Sequence, residues 1–530
     1  IDTPCNGATV LNMFYISHEE ILKAAKRMKP NNVSGADNLP AFLIVDCINY
    51  LLPPLCHIFN LILQSCACPS AWKISRVVPI FKSGDKENVK NYRPIVLISN
   101  IAKLFECILS DILYSHVAPN IAPEQHGFVK GRSTVTNLFE YTQFVSEALD
   151  NRLQVDAIYT DLSAAFDKVH HCILLKKLKS FGLCDSLIFV FRSLLTGRHQ
   201  FVSYGGFKSN RYCVNSGVGQ GSNLGPLLFN IFYNDVVKYL NCKTLIYADD
   251  LKMAKVITNV EDCIELQNSL DRLLNWCDDN LLTVNKTKCK KITFARIHNP
   301  VNFYYNIRGY VLENCKEVLD LGVIIDSTLS FHSHVIHIAK HAMKLLGFIY
   351  RNTKDFSNTR CIKLLFYTLV RAKLEYCCTV WKPYHVTYID LLENVLRKFA
   401  KYVYFKMFGR YPVRHCDQSS LLDIVSENSL LSRRNMSCLI FLQKIVTGQI
   451  YSQTLLNEIK FNVPRLGSRI QISFSYNIPN TLHHFNSPLI ACIRLYNYII
   501  SRDQNIDIFF NNFCNVGIRN KILKIVVAVL

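Results

Sequence analysis

Two adjacent carboxylates, Asp249 and Asp250, interrupt the stretch T-L-I-Y-A-D-D-L-K-M at residues 244–253, which would otherwise be predicted as one buried strand. Like charges held together in a low-dielectric setting repel each other and lose hydration, so they need a compensating cation or proton. A polar turn between two strands would also explain the pair, because Asp is common in turns. The pair therefore predicts either a solvated turn or two carboxylates aimed from the tip of an apolar hairpin.

The chain has a second acidic pair, Asp278-Asp279 in N-W-C-D-D-N-L-L. It follows L-D-R-L-L-N-W, whose apolar spacing is helical. We therefore expect this pair to lie at a solvated helix end or turn, outside any site.

A third carboxylate, Asp161, ends the β-rich run in L-Q-V-D-A-I-Y-T-D-L-S-A-A-F-D at residues 153–167, and a helical pattern follows. Two strand ends that bring three carboxylates together would bind divalent cations, and two such ions can stabilise the attacking and leaving oxygens of a phosphoryl transfer. Taken alone, Asp161 fits a helix N-cap equally well.

Between these strands lies the glycine-rich stretch S-G-V-G-Q-G-S-N-L-G-P-L-L-F-N-I-F at residues 216–232. Gly217, Gly219 and Gly221 allow the backbone to approach another group closely, although most such loops are only turns. The apolar residues after them predict a packed helix.

The motifs, in this order, resemble those of the reverse transcriptases of non-LTR (LINE-type) retrotransposons, particularly the jockey-like group of insect elements. Nine stretches in register carry the resemblance, which covers nearly the whole chain. They are W-K-I-S-R-V-V-P-I-F-K-S-G-D (72–85), N-Y-R-P-I-V-L-I-S-N-I-A-K-L-F-E (91–106), E-Q-H-G-F-V-K-G-R-S-T (124–134), Y-T-D-L-S-A-A-F-D-K-V (159–169), G-Q-G-S-N-L-G-P-L-L-F-N (219–230), Y-A-D-D (247–250), L-T-V-N-K-T-K-C-K-K-I-T-F (282–294), L-G-V-I-I-D (321–326) and L-V-R-A-K-L-E-Y-C-C-T-V-W (369–381).

The resemblance implies an α+β right-hand polymerase with helical fingers, an antiparallel palm sheet packed against helices, and a helical thumb. The implied divisions are a connector (1–30), fingers with the start of the polymerase region (31–150), palm (151–330), thumb (331–410) and a C-terminal accessory region of unknown role (411–530).

The resemblance assigns Asp161, Asp249 and Asp250 as the metal-binding catalytic triad of the palm. Lys288 is similar to the lysine that protonates the departing pyrophosphate. As a member of a basic run, Lys288 also has a plainer explanation as a surface charge.

Further positions match substrate-binding residues of the family. Lys82 and Arg93 match the pair that holds the triphosphate, and cationic donors suit phosphate oxygens. Phe166 matches the bulky residue that excludes a ribose 2′-hydroxyl, while Gln220 and Gly221 match the loop lining nucleotide and template. Taken singly, the two cations could be surface charges, Phe166 a core aromatic and Gln220 a turn residue.

The sequence departs from the family pattern at two positions of this loop. Gly219 stands where the family usually has proline, and Asn223 stands where it has a small or β-branched apolar residue. Both changes are expected to loosen the loop near the template.

The net charge of +20 is concentrated after the palm: residues 336–410 contain 14 Lys or Arg against 4 Asp or Glu. A basic thumb would bind a template–primer duplex through its phosphates, without reading sequence. Arg397, Lys398 and Lys401 are the predicted nucleic-acid-binding residues. The alternative is a solvated helical face, although such faces usually mix charges more evenly.

The resemblance also implies two Mg²⁺ ions, which Mn²⁺ can replace, an RNA template, a DNA primer or target, deoxynucleoside triphosphates, and an RNA-binding protein of the element as a further partner. It implies a nuclear location, with no targeting signal visible and no apolar run of membrane-spanning length. The scattered cysteines, 21 in all, predict reduced thiols without a disulfide framework or a zinc site.

The sequence begins with Ile1, and no stretch resembles the endonuclease that such elements commonly encode upstream. We therefore expect a fragment of a longer reading frame. Two alternative functions stay open, namely a group II intron-type maturase and a decayed or co-opted nucleic-acid-binding protein without polymerase activity.

Overall fold

A computed structural model describes residues 10–219, 221–413, 416–462 and 473–527. These residues form two compact units. The first unit comprises Ile1–Val129, Thr160–Leu251 and Gln267–Cys289, and the second comprises Lys130–Tyr159, Lys252–Leu266 and Lys290–Leu530.

Helices make up most of the secondary structure. In chain order they are α1 His18–Ala25, α2 Ala41–Asp46, α3 Ile48–Ser65, α4 Asn100–Val117, α5 Thr134–Asp150, α6 Ala165–Lys168, α7 His171–Ser180, α8 Asp185–Leu195, α9 Gly225–Tyr233, α10 Val260–Asp279, α11 His332–Asn352, α12 Thr359–Leu365, α13 Ala372–Glu375, α14 Cys378–Trp381, α15 Val386–Phe408, α16 Gln418–Ile424, α17 Leu430–Val446, α18 Gln453–Glu458, α19 Leu482–Phe485, α20 Pro488–Arg502 and α21 Val516–Val527.

The strands are short. In chain order they are β1 Ile74–Phe81, β2 Tyr92–Leu97, β3 Gln154–Thr160, β4 Arg198–Tyr204, β5 Phe207–Lys208, β6 Tyr212–Val214, β7 Lys243–Tyr247, β8 Asp250–Ile257, β9 Lys290–Phe294, β10 Asn306–Ile307, β11 Tyr310–Val311, β12 Glu313–Asn314, β13 Glu317–Asp320, β14 Val323–Asp326, β15 Lys460–Phe461 and β16 Phe474–Ser475.

The first unit contains a sheet in the order β2-β1-β4-β5, with β6 also paired to β4. β1 and β2 are antiparallel, so that Ile80 lies opposite Arg93, whereas β1 and β4 are parallel. Helices pack around an aromatic cluster in which the Phe59 and Phe105 rings lie 5.1 Å apart and Trp72 contacts both. Trp72 lies two residues before the start of β1, so the cluster adjoins this strand in the chain.

In the second unit, β3 and β9 are antiparallel with Val155 opposite Phe294, and β12 runs parallel to β9. The β3 residues from Gln154 to Ile158 are all buried, as expected for a strand covered on both faces. One of them is the charged residue Asp156, which accepts a hydrogen bond from Tyr305 Oη at 2.9 Å and lies 3.4 Å from Lys291 Nζ. Buried charges of this kind are tolerated because they are paired.

The remainder of the second unit is mainly helical. α11 and α15 lie against each other, since Tyr350 Oη donates to the carbonyl oxygen of Lys398 at 2.8 Å. The Phe366 and Phe399 rings stack at 3.8 Å in the same helical layer. The predicted α+β fold class and the helical character of residues 331–410 are therefore confirmed, whereas the division into fingers, palm and thumb stays a prediction.

Two further expectations concern the described residues. None of their helices is both long and apolar enough to cross a membrane. Their cysteines are free thiols.

The buried pair between Lys252 and Asp320 provides a test of packing in the second unit. Lys252 Nζ lies 2.5 Å from Asp320 Oδ2, and the side chains are 5% and 7% exposed. Asp320→Asn should lower the free energy of unfolding by about 3 kcal/mol or more, because it leaves a buried ammonium without its counter-charge. Urea-induced unfolding followed by circular dichroism measures the change.

The control is Asp185→Asn, which removes the carboxylate from an exposed pair with Lys179, whose side chains are 70% and 65% exposed. This variant should change stability by about 1 kcal/mol at most, since exposed pairs are screened by water. Equal losses in the two variants would contradict the role assigned to burial.

Candidate active site

The acidic pair at 249–250 lies at the end of an apolar strand. β7 ends at Tyr247, and a turn formed by Ala248 and Asp249 leads into β8, which begins at Asp250. Ala248 adopts a positive φ of 58°, which is uncommon outside glycine and indicates a tight turn. Leu245 is buried, whereas Asp250 is exposed and Asp249 is half-buried, so the two carboxylates follow an apolar strand as predicted.

Asp161 directly follows the last residue of β3, Thr160. Thr160 Oγ1 donates to the carbonyl oxygen of Leu251 at 2.9 Å, and this bond joins the two acidic segments of the first unit. The backbone N–H of Asn285 donates to the carbonyl oxygen of Asp161 at 2.8 Å. α6 begins after Ala164 without a side-chain cap, so Asp161 is not the N-cap of this helix.

The electrostatics of Asp249 show which charges surround it. Burial raises the pKa of this carboxyl above its ordinary value, and the negative charge of Asp161 raises it further. A backbone hydrogen bond and the positive charge of Lys82 lower the same pKa. The two carboxylates and the lysine therefore lie within electrostatic reach of one another, which the sequence alone predicted only through order and resemblance.

The other acidic pair lies at the end of a helix. Asp278 and Asp279 are the last two residues of α10 and are exposed. This is the solvated helix end predicted from the apolar spacing before them.

The three predicted cationic residues lie in the same unit as the carboxylates. Lys288 Nζ is 3.5 Å from Asp161 Oδ2. Lys82 follows the end of β1 and is exposed, and its backbone N–H donates to the carbonyl oxygen of Asn91 at 2.8 Å. Arg93, on β2, is also exposed. Because strand side chains alternate, Lys82 and Arg93 fall on the same face of the β1–β2 hairpin.

The glycine-rich loop lies against β2. Gly221 has a φ of +113°, and a Cβ at this position would lie only 3.1 Å from the carbonyl oxygen of Val96. The loop is also joined to α4, because Asn223 Nδ2 contacts the carbonyl oxygen of Lys103 at 3.4 Å. Gln220, predicted to bind substrate, lies outside the described residues.

Phe166 lies between two other rings. It stacks on Phe229 with centroids 4.4 Å apart and meets Phe128 edge-on at 6.4 Å. The side chain is half-buried, and the backbone N–H of Val218 donates to its carbonyl oxygen at 2.8 Å. Its position is thus fixed by packing without complete burial.

The sequence did not reveal a role for Gln125, whose side chain is hydrogen-bonded to the acidic turn. Its Oε1 accepts hydrogen bonds from the backbone N–H groups of Ala248 at 3.0 Å and Gly127 at 2.8 Å, and its Nε2 contacts the carbonyl oxygen of Ala248 at 3.3 Å. Gln125 is buried. The available signal was a glutamine in a stretch of mixed glycine and aromatic residues, E-Q-H-G-F, to which no role was assigned.

The residues fit a divalent cation by their chemistry, because Mg²⁺ prefers carboxylate oxygens. Burial raises the pKa of Asp249 most and the charge of Asp161 raises it further, and a bound cation would offset both effects. Among the described residues, no group of three or more His, Cys, Asp or Glu side chains is already arranged as a set of metal ligands.

The predicted nucleic-acid-binding residues lie on α15 of the second unit. Lys398 and Lys401, three residues apart, are exposed. Arg397 is half-buried, and its Nε donates to Gln418 Oε1 at 2.8 Å. Two of the three residues therefore present their charge to solvent, while the third is held within the helical layer.

Carboxylates at neighbouring strand ends, a glycine-rich loop and nearby cations are the layout of a template-directed nucleic-acid polymerase. The family described as reverse transcriptase (RNA-dependent DNA polymerase) matches residues 82–350, which include the whole acidic site. The chain belongs to this family.

Similar proteins agree with this assignment. The RNA-directed DNA polymerase from mobile element jockey of Drosophila funebris is 32% identical over 332 residues, covering 60% of this chain and 36% of the relative. Its Drosophila melanogaster counterpart is 28% identical over 338 residues, covering 61% of this chain and 36% of the relative. A Pol polyprotein from retrotransposable element R2 of Popillia japonica is 26% identical over 294 residues, covering 53% of this chain and 40% of the relative. The predicted resemblance to jockey-like polymerases is confirmed, and the chain spans little more than a third of the jockey relatives.

The close approach of Gly127 to the acidic turn gives a test. A Cβ on Gly127 would lie 2.3 Å from the backbone nitrogen of Ala248, so the backbone must shift. Gly127→Ala should therefore lower the apparent melting temperature, with a loss of about 1–3 kcal/mol typical of overpacking. Differential scanning calorimetry measures it.

Gly347→Ala serves as the control, because the nearest atom to its Cβ would be Arg351 Nη1 at 3.5 Å. Gly347 lies inside α11, where alanine is favoured over glycine, so this variant should be neutral or stabilising. A Gly127→Ala protein as stable as the parent would mean that the turn at 248 adapts without cost.

Proposed function

We propose that the chain is an RNA-directed DNA polymerase of a non-LTR retrotransposon, which adds deoxynucleotides to a primer 3′-hydroxyl along an RNA template. The observation that carries the proposal is the arrangement of the acidic segments: the hydrogen bond from Thr160 to Leu251 joins the segments of Asp161 and Asp249, and Lys288 Nζ lies 3.5 Å from Asp161 Oδ2. The charges of Asp161 and Lys82 both act on the pKa of Asp249. Family membership over residues 82–350 supports the same reaction class.

In this reaction the primer 3′-oxygen attacks the α-phosphorus of the incoming triphosphate, the bond to the bridging oxygen breaks, and pyrophosphate leaves. Asp161, Asp249 and Asp250 would hold two Mg²⁺ ions. Bound Mg²⁺ lowers the pKa of the 3′-hydroxyl and stabilises charge on the phosphate oxygens. The contribution of the protein is positioning, because the hydrogen bonds of Gln125 and Thr160 fix the turn and strand that carry the carboxylates.

Three cations would act on the triphosphate. Lys82 and Arg93 share a face of the β1–β2 hairpin, and the charge of Lys82 reaches Asp249. Such donors neutralise phosphate oxygens as charge develops on the leaving group. Lys288, 3.5 Å from Asp161, would donate a proton to the departing pyrophosphate.

Phe166 would select the sugar. Its ring is held by Phe229 on one side, and the side chain is only half-buried, so part of it is available to a ligand. A rigid aromatic edge rejects an added 2′-hydroxyl by sterics, while a 2′-hydrogen fits. Gly221 lets the loop pack closely on β2, because a side chain there would meet Val96, and this loop would line the nucleotide and template.

The basic helices of the second unit would hold the template–primer duplex. Lys398 and Lys401 are exposed on α15, and Lys340, Lys344 and Arg351 are exposed along α11. Phosphate contacts of this kind release counterions and do not read sequence.

Substitution of the carboxylates tests the catalytic assignment. Asp249→Asn and Asp161→Asn should each reduce primer extension on a primed RNA by at least about 100-fold, because a charge that acts in the transition state is lost. Affinity for the duplex should remain close to that of the parent in a filter-binding assay.

Asp278→Asn is the matched control, since Asp278 belongs to the acidic pair at the end of α10. It should extend the primer as the parent does. Equal losses at 249 and 278 would contradict the distinction between the two pairs, and a parent protein without extension would favour the decayed or co-opted alternative.

Phe166→Ala tests sugar selection. Removal of the ring should allow ribonucleotide incorporation while deoxynucleotide incorporation persists, because only the steric barrier at the 2′ position is lost. Single-nucleotide incorporation on a primed RNA compares the two substrates. A variant that rejects ribonucleotides as strongly as the parent would assign Phe166 to packing alone.

Lys398→Gln and Lys401→Gln test the duplex-binding helices. Each should reduce the slope of log affinity against log salt by about 1, because one phosphate contact is removed. Arg397→Gln should change the slope less, since Gln418 already engages its guanidinium. Titrations of a primed RNA at several salt concentrations measure the slopes. An unchanged slope in both lysine variants would mean that the duplex binds another surface.

A further inference from the structure

Phe166 lies on α6, a helix of only four residues. Ala164, the residue before this helix, has a positive φ of 52° and supplies no side-chain cap. A helix of this length has little stability of its own, because the cost of nucleation is not recovered within one turn. The position of Phe166 therefore depends on contacts with other segments.

Residues 216–218, which we call the strap, are hydrogen-bonded to the backbone around Phe166. The backbone N–H of Val218 donates to the carbonyl oxygen of Phe166 at 2.8 Å. Ser216 Oγ donates to the carbonyl oxygen of the next residue, Asp167, at 2.9 Å. A shift of the strap would consequently move the segment that carries the ring.

Gly217, in the middle of the strap, packs directly on α6. Its backbone N–H donates to the carbonyl oxygen of Val169 at 2.8 Å. Its φ is +84°, and a Cβ at this position would lie 2.7 Å from the carbonyl oxygen of Asp167. The strap and α6 are therefore in backbone contact at this glycine.

The carbonyl oxygen of Gly217 is bonded in turn to His171. His171 Nε2 lies 2.9 Å from this oxygen, and the residue is buried. Burial lowers the pKa of His171 below its usual value, so the ring is neutral at pH 7 and has a single N–H. Because a carbonyl oxygen can only accept, that N–H is on Nε2 and donates to the strap.

His171 is the first residue of α7, a ten-residue helix that is anchored by its own packing. Leu174 and Leu178 of this helix are buried. Lys177 Nζ also donates to Asp235 Oδ1 at 2.8 Å. His171 therefore joins the strap to a packed helix.

We propose that His171 is a positioning residue for sugar selection, because it holds the strap and the strap holds the backbone of Phe166. The inference rests on the proposed function, in which the Phe166 ring rejects a ribose 2′-hydroxyl. Steric rejection depends on the exact place of the ring, and small displacements in a site of this kind have large effects. His171 acts through the backbone and needs no contact with the nucleotide.

Two variants of His171 test the proposal. His171→Leu removes the N–H and keeps a buried side chain, whereas His171→Gln keeps an N–H donor near the end of the side chain. The ratio of kcat/KM for a deoxynucleotide to that for the matching ribonucleotide, on a primed RNA, should fall by about 3- to 10-fold in the leucine variant, as expected for one hydrogen bond. The glutamine variant should recover most of the parent ratio. Both substrates are measured on one preparation, so the ratio does not depend on how much of the protein is folded.

His116→Leu is the matched control. His116 Nε2 lies 2.8 Å from the carbonyl oxygen of Phe181, the residue after the last turn of α7. This variant therefore removes the same kind of bond from the opposite end of α7, about 15 Å away at 1.5 Å per residue. Its sugar ratio should equal that of the parent.

Hydrogen exchange followed by mass spectrometry tests the strap without any need for activity. The backbone N–H groups of Gly217 and Val218 are both hydrogen-bonded, so their exchange reports on whether the strap stays in place. Peptides that cover residues 216–218 should exchange faster in His171→Leu than in the parent. In His171→Gln and His116→Leu they should exchange at the parent rate.

Three results would overturn the inference: a parent-like sugar ratio in His171→Leu, strap exchange that this variant leaves unchanged, or an equal fall of the ratio in His116→Leu. Phe166→Ala, measured beside them, reports on the proposed function separately. Relaxed selection in Phe166→Ala with normal selection in His171→Leu would refute the role of His171 alone, whereas normal selection in both would refute sugar selection by Phe166. If the parent does not extend a primer, the proposed function fails, and hydrogen exchange alone decides whether His171 holds the strap.

Discussion

The acidic turn depends on one constraint: Asp249 is half-buried and lies within electrostatic reach of a second carboxylate that repels it, Asp161. The pKa of Asp249 reflects this setting: burial raises it most, and repulsion from the charge of Asp161 raises it further. A turn under such repulsion needs support, and Gln125 supplies it through hydrogen bonds to Ala248 while Thr160 ties the segment of Asp161 to Leu251. Hydrogen bonds from two polar side chains to the backbone therefore fix the segments that carry the charges.

The sequence predicted the elements of this site better than their supports. The hairpin around 249–250, the strand that ends before Asp161 and the helix end at 278–279 follow from apolar periodicity, and all are present. Gln125 could not be found in this way, because its role depends on a contact with residue 248, more than a hundred positions away. Long-range hydrogen bonds of single polar residues leave no periodic signal.

The same limit applies to the charge pattern of the second unit. Counting Lys and Arg over residues 336–410 correctly indicated basic helices, yet it could not separate Arg397, which is held by Gln418, from exposed Lys401. Burial of individual charges, such as Lys252 with Asp320, was likewise invisible in composition. The sequence gives the net charge of a segment, and only the fold shows which of its charged side chains are exposed to solvent.

The β1–β2 hairpin shows how one short element can separate two kinds of side chain. Its period of two puts Arg93 and Phe81 on opposite faces, so cations and rings can be selected independently along strands of only eight and six residues. A helix of the same length would spread these side chains around its circumference and could not divide them so cleanly. A two-stranded hairpin can therefore present two chemically different surfaces within a few residues.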